Sequence, residues 1–183
     1  MKKNNHWLPR PGRRSGSAMI EFALVGTFIF LPMLGGLASV GIQMATGIQV
    51  ANLNASAGQM FSSGIDFTQA ANVTLLQNIA TGSNLNFSSS GLGVVFLSEL
   101  EGTSNGISCI AQFTIGNPSQ GSATYASLVA PTGVGGAVNS PFTTAMSNGQ
   151  IAYVAETYYN VSQYAWAFAP TGTGNQIYVK AVF

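Results

Sequence analysis

The segment Arg13-Arg14-Ser15-Gly16-Ser17-Ala18-Met19-Ile20-Glu21-Phe22 opens a long apolar stretch, and its order decides how the chain reads: a basic stop, small residues, then one acid at the edge of the run. From Phe22 to Ile42 no residue carries a charge. At a helical rise of about 1.5 Å per residue these positions cover roughly 30 Å, the thickness of a bilayer's hydrocarbon core, so the stretch predicts a membrane helix. A carboxylate is costly there: an acid at the centre of such a helix costs roughly 2.5 to 3.5 kcal/mol, less near the interface. One reading makes Glu21 an ordinary solvated acid among headgroups, favoured at a helix N-terminus by the macrodipole. The other gives it a function.

Working outward, the charges divide sharply. Of six Lys and Arg, Lys2, Lys3, Arg10, Arg13 and Arg14 precede Gly16, and only Lys180 follows. The positive-inside rule then places the N-terminus in the cytoplasm and the rest of the chain across the membrane. Residues 1–16, with Pro9, Pro11 and Gly12 among the charges, read as a leader that stands outside the fold. Beyond it, one lysine against Glu21, Asp66, Glu99, Glu101 and Glu156 leaves a formal charge of −4. Nucleic acid is excluded as a partner on this count, because a phosphate-binding surface needs clustered Lys and Arg.

Within the apolar run, Pro32 followed by Gly35 and Gly36 should kink or loosen the helix, and Gly26, Gly35 and Gly41 permit close helix packing. Past the run the pattern turns amphipathic. Val50, Leu53, Ala57 and Met60 recur at spacings of three and four, with Gln49, Asn52, Asn54, Ser56 and Gln59 on other faces, so the helix is expected to continue to about Phe61. Ser62-Ser63-Gly64 breaks it, and Asp66 is placed to cap a second helix over residues 67–80.

From residue 81 the signals are strands and turns. Residues 92–100 and 107–115 flank the turn-forming Glu101-Gly102-Thr103-Ser104-Asn105-Gly106 and predict a hairpin; 151–160 and 176–183 alternate as strands, and 161–168 could add another before a turn at 170–175. Residues 116–149, rich in Gly, Ser, Thr, Asn and Pro, read as a long surface loop with at most a short helix over 142–146. The expected fold is α+β: a long N-terminal helix over 17–61, transmembrane over about 22–42, then a 62–183 head with a short second helix and an antiparallel sheet of four or five strands. A head of about 120 residues can form a single core.

Chemistry is sparse. His6, the one histidine, lies in the leader, which removes His-dependent triads and His/Cys zinc sites from the rest of the chain. Glu99 and Glu101 share a face if one strand runs through both, yet no orienting groups accompany them, and the glycine run at 133–136 lacks phosphate-loop spacing. No catalytic residue, cofactor site or metal site is predicted. Cys109 stands alone, so no intrachain disulfide is open to it; it reads as a small buried hydrophobe or, alternatively, as a pairing site between subunits. Tyr153, Tyr158, Tyr159, Tyr164, Trp166, Phe168 and Tyr178 fit either cross-strand packing or an exposed contact surface. Glu156 and Lys180 could face each other across paired strands, a contact worth under about 1 kcal/mol if exposed.

The segment from Arg13 to Val25 resembles the processing signal of the type IV pilin superfamily and, more narrowly, the start of TadE-like minor pilins (pseudopilins) of the tight-adherence (Flp) pilus system. Val154-Ala155-Glu156-Thr157-Tyr158-Tyr159 and Ile177-Tyr178-Val179-Lys180-Ala181-Val182-Phe183 are similar to strands in the C-terminal part of these proteins. The chain departs from the family in having one cysteine where a pair is common and in lacking a basic tail. The resemblance implies cleavage by a prepilin peptidase between Gly16 and Ser17, with Glu21 the fifth residue and Phe22 the sixth of the mature chain. It further implies a single-pass bacterial inner-membrane protein whose partners are that peptidase, other pilin and minor pilin subunits, the assembly machinery and membrane lipid. The Ser17 amine and the Glu21 carboxylate, one helical turn apart, could then neutralise each other or pair between neighbouring helices, where a low dielectric strengthens the attraction. Two other functions remain open. One is a secreted adhesion domain released near Ala38 by an ordinary signal peptidase; the other is an uncleaved anchor carrying an enzymatic domain built on Glu99 or Glu101.

Overall fold

The computed structural model describes residues 15–120, 123–139, 146–161 and 176–183. One helix runs from near the N-terminus into the head in three consecutive pieces: α1 (Ser15–Val25), a π-helical turn (Gly26–Phe30) and α2 (Leu31–Ser62). Pro32 explains the turn. It has no N–H to offer the Phe28 carbonyl four residues back, and the ladder widens instead, so that the Leu31 N–H reaches Gly26 O. The expected loosening at Pro32 therefore takes the form of a wider turn, and the helix continues through it.

α2 ends in a Schellman motif. Gly64 adopts φ +84°, its N–H bonds Phe61 O at 3.0 Å, and the Ile65 N–H bonds Met60 O at 3.1 Å. α3 spans Ala70–Gly82, shifted from the expected 67–80. The reason lies in Asp66, which is not the N-cap: its carboxylate accepts the Thr68 N–H at 2.8 Å and the Thr68 hydroxyl at 2.7 Å, closing a turn before the helix. Asn84, at φ 55°, then ends α3 by the same motif as Gly64, with Leu85 N–H to Ala80 O and Asn84 N–H to Thr81 O.

The strands are β1 (Gly93–Thr103), β2 (Gly106–Gly116), the short pair β3 (Ser119–Gln120) and β4 (Ala123–Thr124), β5 (Ile151–Asn160) and β6 (Gln176–Val182). Four of them form an antiparallel sheet in the order β2-β1-β5-β6. The fold is thus α+β with a long N-terminal helix. The β1–β2 turn is tighter than expected, because Thr103 pairs with Gly106 and the strand runs on through Glu99 and Glu101. The expected strand over 161–168, the turn at 170–175, Tyr164, Trp166 and Phe168 lie almost wholly outside the described residues, as does most of the expected 142–146 helix and, except for its last residues, the 1–16 leader.

Alternation along β5 sends Tyr153, Ala155, Thr157 and Tyr159 toward α2. There they meet Val50, Leu53, Ala57 and Phe61, together with Val95 and Leu97 of β1 and Leu76, Ala80, Leu85 and Phe87 from α3 and its exit. Phe61 anchors this core by edge contacts to Tyr153 and Phe113 at 5.2 and 5.6 Å between ring centroids. Asn54, expected on a polar face, is wholly buried among these residues, where its Oδ1 accepts the Thr157 hydroxyl at 2.8 Å. Gly58 leaves room for the Phe183 ring, which would have to shift to admit a Cβ there.

The opposite face of the sheet is covered by the segment read from sequence as a surface loop. Val129, Ala130 and Val138 are buried against Leu100, Ile107, Cys109 and Val154. Gly135 N–H to Cys109 O at 2.7 Å and Asn139 N–H to Val129 O at 2.8 Å hold the segment in place. The correction has a physical cause, since Val154, Glu156 and Tyr158 point to this face and an uncovered face would leave them in water.

Candidate functional site

The N-terminal site is built on one turn of α1. Ser17 and Glu21 are four residues apart and so share a helix face, and the Ser17 hydroxyl donates to Glu21 Oε1 at 2.9 Å. Gly16 and Phe22 flank the pair in the same helix, Phe22 with 75% of its surface exposed and open space where a Gly16 Cβ would lie. From Met19 to Ile48 the large apolar side chains stand exposed, Leu24, Phe28, Leu34, Leu37 and Met44 among them. The helix Gly16–Ser62, 47 residues long, is long and apolar enough to cross a membrane. At about 1.5 Å per residue it extends roughly 70 Å, more than twice a hydrocarbon core, so a spanning outer half leaves an inner half free to support the head.

A second acidic centre lies in the head, and little in the sequence announces it. Glu156 has none of its surface exposed. Its register partner is Lys180, as the sequence suggested, but the carboxylate lies in a buried cradle rather than at an exposed position. Glu156 Oε1 accepts the Leu128 N–H at 3.0 Å and the Tyr178 hydroxyl at 2.7 Å; Oε2 accepts the Val129 N–H at 3.3 Å and the Ser127 hydroxyl. Ser127 Oγ is itself fixed by the Ala130 N–H at 2.9 Å. Four donors thus converge on one carboxylate, and the arrangement fastens residues 127–130 to β5. Tyr158 lies between Tyr125, on which it stacks, and Tyr178, to which it is tilted, with centroids at 5.2 and 4.7 Å. Burial, reinforced by the Glu156 charge, pushes the Tyr158 hydroxyl up to about 12. Burial also raises Tyr178, and its hydrogen bond to Glu156 raises it further.

The remaining sequence candidates fall elsewhere. Cys109 is a free, buried thiol whose Sγ donates to Ala111 O at 3.3 Å; burial, and after it the Glu99 charge, pushes its pKa up, and its depth keeps it from a second chain. Glu99 and Glu101 are both in β1 and so share a face, partly buried. Among the described residues no three of His, Cys, Asp and Glu come together as a metal ion would require. Tyr153, Tyr158 and Tyr159 are packing residues, while Tyr178 keeps 38% of its surface exposed. Sequence reasoning missed the cradle around Glu156 because its parts are separated by 22 to 29 residues and no local spacing signals it.

Comparison with known proteins gives no neighbour: no protein family, no curated protein and no solved structure matches this chain.

Proposed function

We propose that this protein is a membrane-anchored minor pilin (pseudopilin) of the TadE-like kind, cut by a prepilin peptidase between Gly16 and Ser17 and acting in assembly of a tight-adherence pilus. The observation that carries the reading is the helix itself. It is continuous from Gly16 to Ser62, apolar and exposed along its outer part, and buried against the sheet of an α+β head along its inner part. A subunit of this shape can sit in the inner membrane with its head outside the cytoplasm and pass into a filament without refolding. It works through contacts with other pilin subunits, the assembly machinery and lipid rather than by catalysis. Glu21, near the membrane edge and one turn from the new Ser17 amine, sets the stagger between neighbouring helices by charge pairing in a low dielectric.

The test is the intact mass and N-terminal sequence of the protein taken from its native membranes, followed by Glu21→Gln. The expected terminus is Ser17 with the apolar helix retained. The variant should insert and be cut normally yet assemble poorly. A terminus near Ser39 would instead mark a secreted domain released by signal peptidase, an intact Met1 a plain anchor, and normal assembly of Glu21→Gln would remove the role given to that carboxylate.

A further inference from the structure

The π-helical turn lies between Glu21 and the head, and we propose that it aims Glu21: it swings the carboxylate off the side of the helix that carries the chain's own head and onto a flank that a neighbouring subunit's helix can reach. This rests on the assembly role given to Glu21 above.

Eighteen residues make five turns of α-helix at 3.6 residues per turn. Ala57 and Ser39 stand eighteen apart, and both are buried on the same side of α2, Ala57 against the sheet. Glu21 lies a further eighteen residues toward the N-terminus. An unbroken α-helix would therefore set Glu21 directly above Ser39 and Ala57, on the head side. The chain does not follow that path, because Gly26–Phe30 intervenes as a π turn whose Leu31 N–H to Gly26 O bond takes in one residue more than an α bond does. One extra residue turns everything before it by about 100°, a little over a quarter of a revolution. Ser17 turns with Glu21, since the two are hydrogen-bonded within α1.

Sterics give the rotation its use. Two rods that each carry a bulky head on one side pack against each other most freely along the flanks and back that the heads leave open. A carboxylate on the head side is poorly placed for a neighbour, and one a quarter turn round is well placed. The device is written locally: Pro32 withholds the N–H that would close the α ladder on Phe28, and the Thr27 hydroxyl donates to Ala23 O at 2.9 Å, bonding back across the junction with α1. Pro32 and the Gly26–Phe30 turn are thus positioning elements for Glu21.

The experiment separates rotation from any general need for proline. Pro32→Ala allows the α ladder to close, which rotates Glu21 back toward the head side. Pro32→Ala combined with deletion of Thr27 closes the ladder and also removes the extra residue, which returns Glu21 to its native azimuth. Both variants and Glu21→Gln are expressed as full chains in the native cells, with membrane insertion, the Ser17 terminus and recovery in filaments measured. The expected result is that all are inserted and cut, that Pro32→Ala falls below about a tenth of native recovery, and that the deletion restores it. Native recovery of Pro32→Ala, or failure of the deletion to rescue it, overturns the proposal. If Glu21→Gln is defective while Pro32→Ala assembles normally, only the aiming falls; if Glu21→Gln assembles normally, the role of Glu21 falls with it.

Discussion

Glu156 stands in the middle of β5 with its carboxylate enclosed, and the segment 127–129 sends three donors to it while Tyr178 sends a fourth. A buried charge is tolerable only when its lone pairs are occupied, so side chain and segment depend on each other. Glu156→Gln turns one acceptor into a donor facing donors, and should lower unfolding stability by about 2 to 3 kcal/mol in denaturant titrations; a loss within error would show that the cradle is dispensable. Tyr178 and Tyr158 add a pH dependence. Both hydroxyls are held above the ordinary tyrosine value near 10, so the folded chain keeps protons that the unfolded chain gives up there. Their contribution is whole below about pH 10 and declines as pH rises toward 12 and beyond. Denaturant midpoints taken across that range should fall, and less steeply in Tyr178→Phe; flat midpoints would contradict the hydrogen-bonded geometry. The sequence exposed the Glu156–Lys180 register but not the burial, because alternation marks two faces and does not say that both will be covered.

At the level of elements, α2 is locked to β5 by Asn54 and Thr157, each fully buried, with Asn54 Nδ2 left without a partner among the described residues. Removing one member strands the other, whereas replacing both by apolar groups of similar shape also removes the unpaired amide. Asn54→Leu alone should cost about 1 to 2 kcal/mol, and adding Thr157→Val should recover most of it; simple additivity in this double-mutant cycle would mean that the hydrogen bond carries no coupling. The helix and β5 were legible because their signals are local: a spacing of three and four through Val50, Leu53 and Ala57, and alternation through 151–160. Asn54 was misplaced for the same reason. Polarity alone sends an asparagine outward, and only a hydroxyl on a distant strand brings it in. The start of α3 moved because an Asp that bonds Thr68 cannot also cap the helix, a competition between two local bonds that composition cannot rank.

Across the whole molecule, the parts that meet in space are far apart in sequence. The Asn54–Thr157 bond joins residues 103 positions apart, and β5 and β6 close over a helix that precedes them by about the same interval. Contacts of such range bear the entropy of closing a long loop before they return any stability, so they form late and slowly. For the membrane-anchored chain proposed above, this would fix an order of events. The outer half is at rest in lipid from the start, while Val50, Leu53, Ala57 and Phe61 face water with no sheet to cover them until β5 arrives. Over that interval the inner half of the helix is an adhesive apolar surface, and the protein's greatest exposure to misassembly lies between insertion of its anchor and completion of its sheet.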